Sequence, residues 1–454
     1  MEEIKNDVFT IFNKIIDIEN RYQLFDLQIN GIYIWKIIRF ALESEIHTQI
    51  LYSNLAHDDN KSKKSTIIKK VIYNLKKKNK KTENLIFCHD RFFQEENGYK
   101  DIYTYFLWDN LKNSEIIYPL FCPEIYINKN YNYSFVETIG FIISKLKIKL
   151  INNFKIEKNL EEKLLNIKKE LENDLKIKNI NILELENIKK TLKKFIYEKS
   201  YYKNLLNLKK PKKIYIVCSY GKESLISAAN DLGIDIIEIQ HGGIDKYHLG
   251  YFFPKKDNIA YFPNKIMMFG EYWYSNTQIP LDKKNIEFIG YPYLQKQIAK
   301  FNNIKENNDQ ILFISQGTIG KELTEKAIEF ARENQDKKVV IRLHPGEFKR
   351  WRKEYEMLYK NRNLPNIEIS DNNKKTLYEY LFESKYLICV YSTVIYEALY
   401  LGKKIGILNL SGVEYIEDLI VKKMVHKFEN KINLFELDKL KKIDSNYFFN
   451  NFKE

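Results

Sequence analysis

The sequence predicts an α/β protein built on doubly wound parallel sheets, and three observations carry that expectation. From Pro211 onward, apolar runs of strand length alternate with amphipathic helical segments, and parallel strands require helical crossovers. The 454 residues, 44% of them hydrophobic, suffice for two or three packed domains. Polar motifs directly follow several apolar runs, which puts them at strand carboxyl ends, where an open parallel sheet binds its ligands.

Along the chain, residues 1–60 read as helical. Val8, Phe9, Phe12, Ile15 and Ile16, then Ile32, Ile34, Trp35, Ile38 and Phe40, recur at helical spacing. Strands are predicted at Asn84–Cys88 and Glu115–Tyr118. Residues 134–208, rich in Leu, Ile, Lys and Glu with no Pro and almost no Gly, read as long helices inserted into the first domain. Beyond Pro211 come strand Lys213–Cys218, helix Glu223–Asp231 and strands Ile234–Ile239, Lys265–Phe269 and Ile286–Ile289. Gly290-Tyr291-Pro292 then punctuates the pattern, so 290–308 is expected to cross between domains. The alternation resumes with strand Ile311–Ser315, helix Lys321–Asn334, strand Lys338–Leu343, helix Phe348–Tyr359 and strand Asn366–Ile369. Helix Lys374–Phe382, strand Tyr386–Val390, helix Val394–Leu401 and strand Lys404–Leu408 follow, and from about Ile416 the chain reads as mainly helical. The expected division is 1–290, 291–425 and a helical tail 426–454 that packs back on the first domain.

The formal charge of +14 and pI near 9.1 favour anionic partners. The densest basic run extends from Lys61 to Lys81. Such a run serves as a solvated face or linker, as a contact to an anionic membrane or, least favoured here, to nucleic acid. Phe135–Ile156, apolar at first and then basic, reads as an amphipathic helix packed on its own domain or lying in a bilayer interface. The chain start lacks the basic, apolar pattern of a secretory signal, and no apolar run reaches the roughly 18 residues of a membrane span. Cys88, Cys122, Cys218 and Cys389 show no CxxC spacing, which fits a reducing cytoplasmic compartment without a zinc site. HExxH and GxSxG are also absent, excluding zinc hydrolases and α/β-hydrolases.

Four motifs carry chemistry. Gln240-His241-Gly242-Gly243 leaves a strand end, its glycines giving room for a substrate beside an imidazole suited to proton transfer near neutral pH. Ile341-Arg342-Leu343-His344-Pro345 holds His344 extended, because proline disfavours the helical region for the residue before it. An imidazole so placed donates to a phosphate oxygen, and Arg342 shares its strand face. Ser392 and Thr393 open a helix after strand Tyr386–Val390, where hydroxyls either cap the helix or bond a phosphate. Glu397, one turn on, is a ligand for ribose hydroxyls or a surface charge. Ser315-Gln316-Gly317-Thr318 is a strand-to-helix turn whose Gln316 and Gly317 are candidate donor contacts, although its spacing is neither GxGxxG nor the Walker pattern.

Together these residues resemble bacterial GT-B glycosyltransferases of surface polysaccharide assembly. The pattern is similar to the capsule Kdo transferases, the sialyl- and polysialyltransferases with His-Pro and Ser-Ser/Thr motifs, and the teichoic acid glycerophosphotransferases. It spans about residues 211–425; residues 1–210 carry none of it. The resemblance implies two Rossmann-like domains facing across a cleft, with additional helical segments and the donor nucleotide on the second. It implies that His344 meets the donor phosphate, that Ser392 and Thr393 bind its oxygens, and that His241 is the base, as in the glycerophosphotransferases. The carboxylate motif of the sialyltransferases has no copy here, which keeps Asp245 as the alternative base. The expected activity is transfer of a sugar from a nucleotide-sugar co-substrate, CMP-linked and Kdo- or sialic-acid-like, to a capsule, surface glycan or lipid-linked acceptor. It is expected to need no metal or other cofactor, because His344, Arg342 and helix dipoles meet the charge of the leaving phosphate. The expected location is the cytoplasm, peripheral on the inner face of the plasma membrane. A CDP-glycerol or polyol phosphotransferase of the same fold and a non-catalytic nucleotide- or glycan-binding scaffold are the alternatives.

Overall fold

A computed structural model describes residues 8–50, 69, 70, 72–74, 77, 81–119, 122–135, 156–254 and 259–452. Most of the basic run 61–81 and of the segment 135–156 lies outside the described residues.

In chain order the strands are β1 (Gln28–Ile29), β2 (Ile32–Tyr33), β3 (Asn84–Phe87), β4 (Phe92–Glu95), β5 (Gly98–Asp101), β6 (Ser114–Tyr118) and β7 (Tyr133–Phe135). They continue with β8 (Lys213–Val217), β9 (Asp235–Ile239), β10 (Lys265–Met268), β11 (Ile286–Phe288) and β12 (Asn307–Ile314). The last five are β13 (Lys338–Arg342), β14 (Ile367–Ser370), β15 (Ser384–Cys389), β16 (Lys404–Leu408) and β17 (His426–Phe428). One sheet runs β11-β10-β9-β8-β3-β6-β7 and the other β14-β13-β12-β15-β16-β17, with every neighbouring pair parallel. Two Rossmann-like sheets, each covered by helices, are the GT-B-like architecture.

The strands form because they are buried on both faces. Ile236, Ile237, Glu238 and Ile239 of β9 are all buried, as are Val339, Val340 and Ile341 of β13. Helices present one apolar stripe to these sheets. Helix Gly320–Glu333 buries Leu323, Ala327, Phe330 and Ala331 at three- and four-residue spacing. Helix Leu185–Lys209 packs Tyr202 and Leu206 into the cluster formed by Leu225, Ala228 and Ala229.

The amino-terminal helices Val8–Tyr22 and Ile34–Ile50 form a separate core with helix Lys158–Asp174, around Ile11, Ile15, Trp35, Leu42, Leu164 and Leu171. Arg39 ties this layer to the sheet. Buried itself, it pairs with Glu19 and donates to the carbonyls of Leu249 and Phe252 in the loop after β9.

Several elements differ from expectation. The 290–308 crossing contains helix Pro292–Phe301, begun by proline at its first position, where no N–H is needed. The helix expected over 348–359 is interrupted at Tyr355, whose hydroxyl donates to the buried carboxylate of Glu347 at 2.5 Å. The stretch from Ile416 is not mainly helical: β17 extends the second sheet parallel to β16, between short helices Glu417–Val421 and Leu434–Asp438. The closing residues return to the first sheet, where the Trp273 indole donates to the Phe448 carbonyl and the Asn450 N–H to Phe269, both at 2.8 Å.

Candidate functional site in the cleft between the sheets

The carboxyl ends of the two sheets meet. A small, partly open cavity of about 30 Å³ is lined by Arg91, Tyr103, His241 and Tyr291 from the first domain and by Thr393 and Glu397 from the second. A Cβ on Gly242 or Gly243 would lie within 3.8 Å of the Thr393 methyl, in ordinary van der Waals contact, so the two domains approach closely at this turn.

His241 follows β9, and its Nε2 lies 3.1 Å from the Tyr220 hydroxyl, while Nδ1 is buried without a hydrogen-bond partner. Burial, reinforced by its neighbours His248, His89, Lys222 and Arg91, lowers its pKa to about 3. The ring is therefore neutral at physiological pH. When Nε2–H donates to Tyr220, Nδ1 is left as a free lone pair, although a pKa of about 3 makes it a weaker base than the imidazole suited to neutral pH that the sequence led us to expect.

Glu397 is buried in the same cavity, not on the surface. Burial raises its pKa to about 7, against the opposing effects of the Tyr378 hydroxyl, which donates to it at 2.5 Å, and of Arg91. Thr393 stands exposed at the helix start and makes no capping hydrogen bond, whereas Ser392 Oγ accepts the Val394 N–H at 3.3 Å. Capping therefore occupies one hydroxyl and leaves Thr393 facing the glycine turn.

His344 is extended (φ −67°, ψ 144°) and exposed. Its Nδ1 accepts the Gly346 N–H at 3.2 Å, while its own backbone N–H donates to Glu347 at 2.5 Å. Acceptance at Nδ1 leaves the proton on Nε2, so the free edge of the ring is a donor. Arg342 does not join it as expected: its guanidinium turns to the end of β14, donating to Ser370 at 2.7 Å, to the Asn372 carbonyl and to Asn373 at 2.9 Å. Gln316 and Gly317 are likewise engaged within the domain, Gln316 accepting the Tyr391 N–H and the Gly317 carbonyl accepting from Arg350. Asp245 does not line the His241 cavity. It lies in a neighbouring one, accepting the Tyr247 N–H at 2.7 Å, with burial raising its pKa to about 6.

Arg91, Tyr103 and Tyr291 were not singled out from sequence. Arg91 is exposed, donates to the Tyr103 hydroxyl at 3.2 Å, and its charge acts on His241, His344 and Glu397 together. The signal was present in Cys88-His89-Asp90-Arg91, a polar cluster directly after a buried strand. The hairpin β4–β5 fixes this turn through buried Asp101, which accepts from the backbone N–H groups of His89, Tyr103 and Thr104. Among the described residues, no group of three or more His, Cys, Asp or Glu side chains is placed to hold a metal ion, and no helix is long and apolar enough to cross a membrane.

No family model and no curated protein matches the chain. Among solved structures, UDP-GlcNAc 2-epimerase from Methanocaldococcus jannaschii is similar over 81% of this chain and 96% of its own, at 13% identity and TM-score 0.45. UDP-GlcNAc 2-epimerase from Neisseria meningitidis, bound to UDP-GlcNAc, is similar over 78% and 89%, at 12% identity and TM-score 0.41. The glycotransferase of kitacinnamycin is similar over 81% and 88%, at 9% identity and TM-score 0.42. Overlaps this loose assign no activity to the chain.

Proposed function

We propose that the chain is a nucleotide-sugar-dependent glycosyltransferase acting on a surface glycan acceptor. The observation that supports the reading is the placement of neutral His241, with its unpartnered Nδ1, and of Thr393 on opposite sides of one cleft. In this reading His241 Nδ1 takes the proton from an acceptor hydroxyl as that oxygen bonds to the anomeric carbon of the donor. The bond from that carbon to the phosphate oxygen breaks, and the nucleotide leaves with the electron pair. His344 Nε2–H, the Thr393 hydroxyl and Arg91 offer donors and positive charge to that phosphate, and such stabilisation of developing charge is the largest single contribution in many enzymes. Glu397 accepts ribose hydroxyls. The donor is taken as CMP-linked, following the sequence motifs.

Melting of the purified chain with CMP, CDP, UMP, UDP and GDP tests this, because a ligand that binds only the folded state stabilises it by about 2.7 kcal/mol at a hundredfold excess over Kd. Stabilisation by CMP, reduced in His344→Ala and retained in His241→Ala, is the expected result. Strong preference for CDP moves the reading to polyol-phosphate transfer at phosphorus, and no response to any nucleotide overturns it.

A further inference from the structure

A second cavity lies beside the first. About 270 Å³ in volume, it is lined by Phe40, Glu43, Ser44, His47, Thr48, Asp245, Tyr247, His248 and Tyr415. The first five lie on one face of helix Ile34–Ile50, since they fall at three- and four-residue steps. Asp245, Tyr247 and His248 come from the loop after β9, and Tyr415 comes from the second domain, its hydroxyl 3.5 Å from His47 Nδ1. Domain contact therefore completes the cavity.

Its chemistry is mixed and largely neutral. Burial holds Glu43 protonated up to about pH 8 and raises Asp245 to about 6. His248 Nδ1 accepts the Gly250 N–H at 3.1 Å, which leaves Nε2–H as a donor, and burial keeps the ring neutral. Hydroxyls of Ser44 and Thr48 stand at the exposed side of the helix. Phe40, Tyr247 and Tyr415 supply apolar walls. A phosphate would find no cation among these lining residues, and a purely apolar ligand would strand the carboxyls. Tyr247 and Tyr415 meet edge to face, their ring centroids 6.5 Å apart at 79°, and form one apolar wall beside the carboxyls and hydroxyls; this suits a ring that is apolar on one face and hydroxylated around its edge. The volume is close to the roughly 300 Å³ lower end of small-molecule sites, room for one sugar unit and not for a nucleotide sugar.

Tyr220 joins this cavity to the proposed base. Its ring stacks on Phe40 at 3.9 Å between centroids, and its hydroxyl meets His241 Nε2 at 3.1 Å. We propose that the cavity binds one neutral sugar unit of the acceptor, with Glu43 and Asp245 hydrogen-bonding its hydroxyls and one ring face lying against the wall that Tyr247 and Tyr415 form together. The assignment to the acceptor rests on the transferase reading above; the sugar site itself does not.

The test is saturation-transfer NMR on the full chain with glucose, galactose, N-acetylglucosamine and N-acetylgalactosamine, with CMP titrated separately. At least one sugar should bind, and Ser44→Trp and, independently, Thr48→Trp should weaken it by about tenfold or more, or 1.4 kcal/mol, while CMP affinity is unchanged. Both are substitutions of exposed residues, so folding is retained and is checked by circular dichroism. Sugar binding that survives both variants overturns the site, as does binding of putrescine with no sugar binding at all. Sugar binding without any nucleotide binding supports the site and overturns the transferase reading; nucleotide binding without sugar binding does the reverse.

Discussion

Glu397 makes stability depend on pH in a direction that can be worked out. Its carboxyl sits in the cavity between the sheets, and burial raises its pKa from 4.5 to about 7. A carboxyl raised on folding keeps its proton in the native state where the unfolded chain has released it. Its contribution is thus fully present below pH 4.5, declines as pH rises, and is lost above about 7. At about 1.4 kcal/mol per pH unit, the difference amounts to about 3 kcal/mol. Glu397→Gln removes the titration and keeps an oxygen for the Tyr378 hydroxyl that donates to Glu397 at 2.5 Å. Urea unfolding of both proteins from pH 4.5 to 8.5 at constant ionic strength isolates the effect, since Glu43, Asp245 and the histidines titrate alike in each. The variant should gain up to about 3 kcal/mol relative to wild type between the two ends of that range. A difference that stays constant with pH would refute the buried, raised carboxyl and with it the burial of Glu397 between the sheets.

Three further outcomes are expected. Tyr220→Phe removes the hydroxyl that holds His241 Nε2; turnover should fall about tenfold or more with nucleotide affinity unchanged, read from the split between kcat and Kd. Arg39→Leu leaves Glu19, 3% exposed, without its cation and with the Trp35 indole still donating to it; unfolding free energy should drop by about 3–5 kcal/mol, and adding Glu19→Leu should recover part of it, the indole then being left unpaired. Gly290 has φ +77°, and a Cβ there would overlap the Asn450 carbonyl; Gly290→Ala should release residues 446–452 from the first sheet, read as faster limited proteolysis of the carboxyl terminus.

The alternation of strands and helices after Pro211 was legible because each buried parallel strand is a continuous apolar run and each crossover helix carries one apolar stripe. Helix Glu223–Asp231 and strand Lys404–Leu408 fall where the sequence places them. Strands β7 (Tyr-Ser-Phe) and β17 (His-Lys-Phe) were missed because polar residues break the apolar run, and the short hairpins β1–β2 and β4–β5 were missed as well. The positions of His241, His344 and Thr393 just past strand carboxyl ends were also legible, since that placement depends only on local order. What local order could not decide was where long side chains reach. Arg342 and His344 are two residues apart on one strand end, yet Arg342 turns to Ser370 and Asn373 while His344 stays exposed. Asp245 follows His241 by four residues but faces another cavity, because the aromatic loop folds back under helix Ile34–Ile50. Arg91 and Glu397, 306 residues apart in the chain, act on one another only because the sheets face each other. Sequence determines periodicity, caps and strand-end chemistry, which are properties of neighbouring residues; tertiary structure decides which of those ends share a cleft, how deeply each charge is buried, and hence which groups stay neutral.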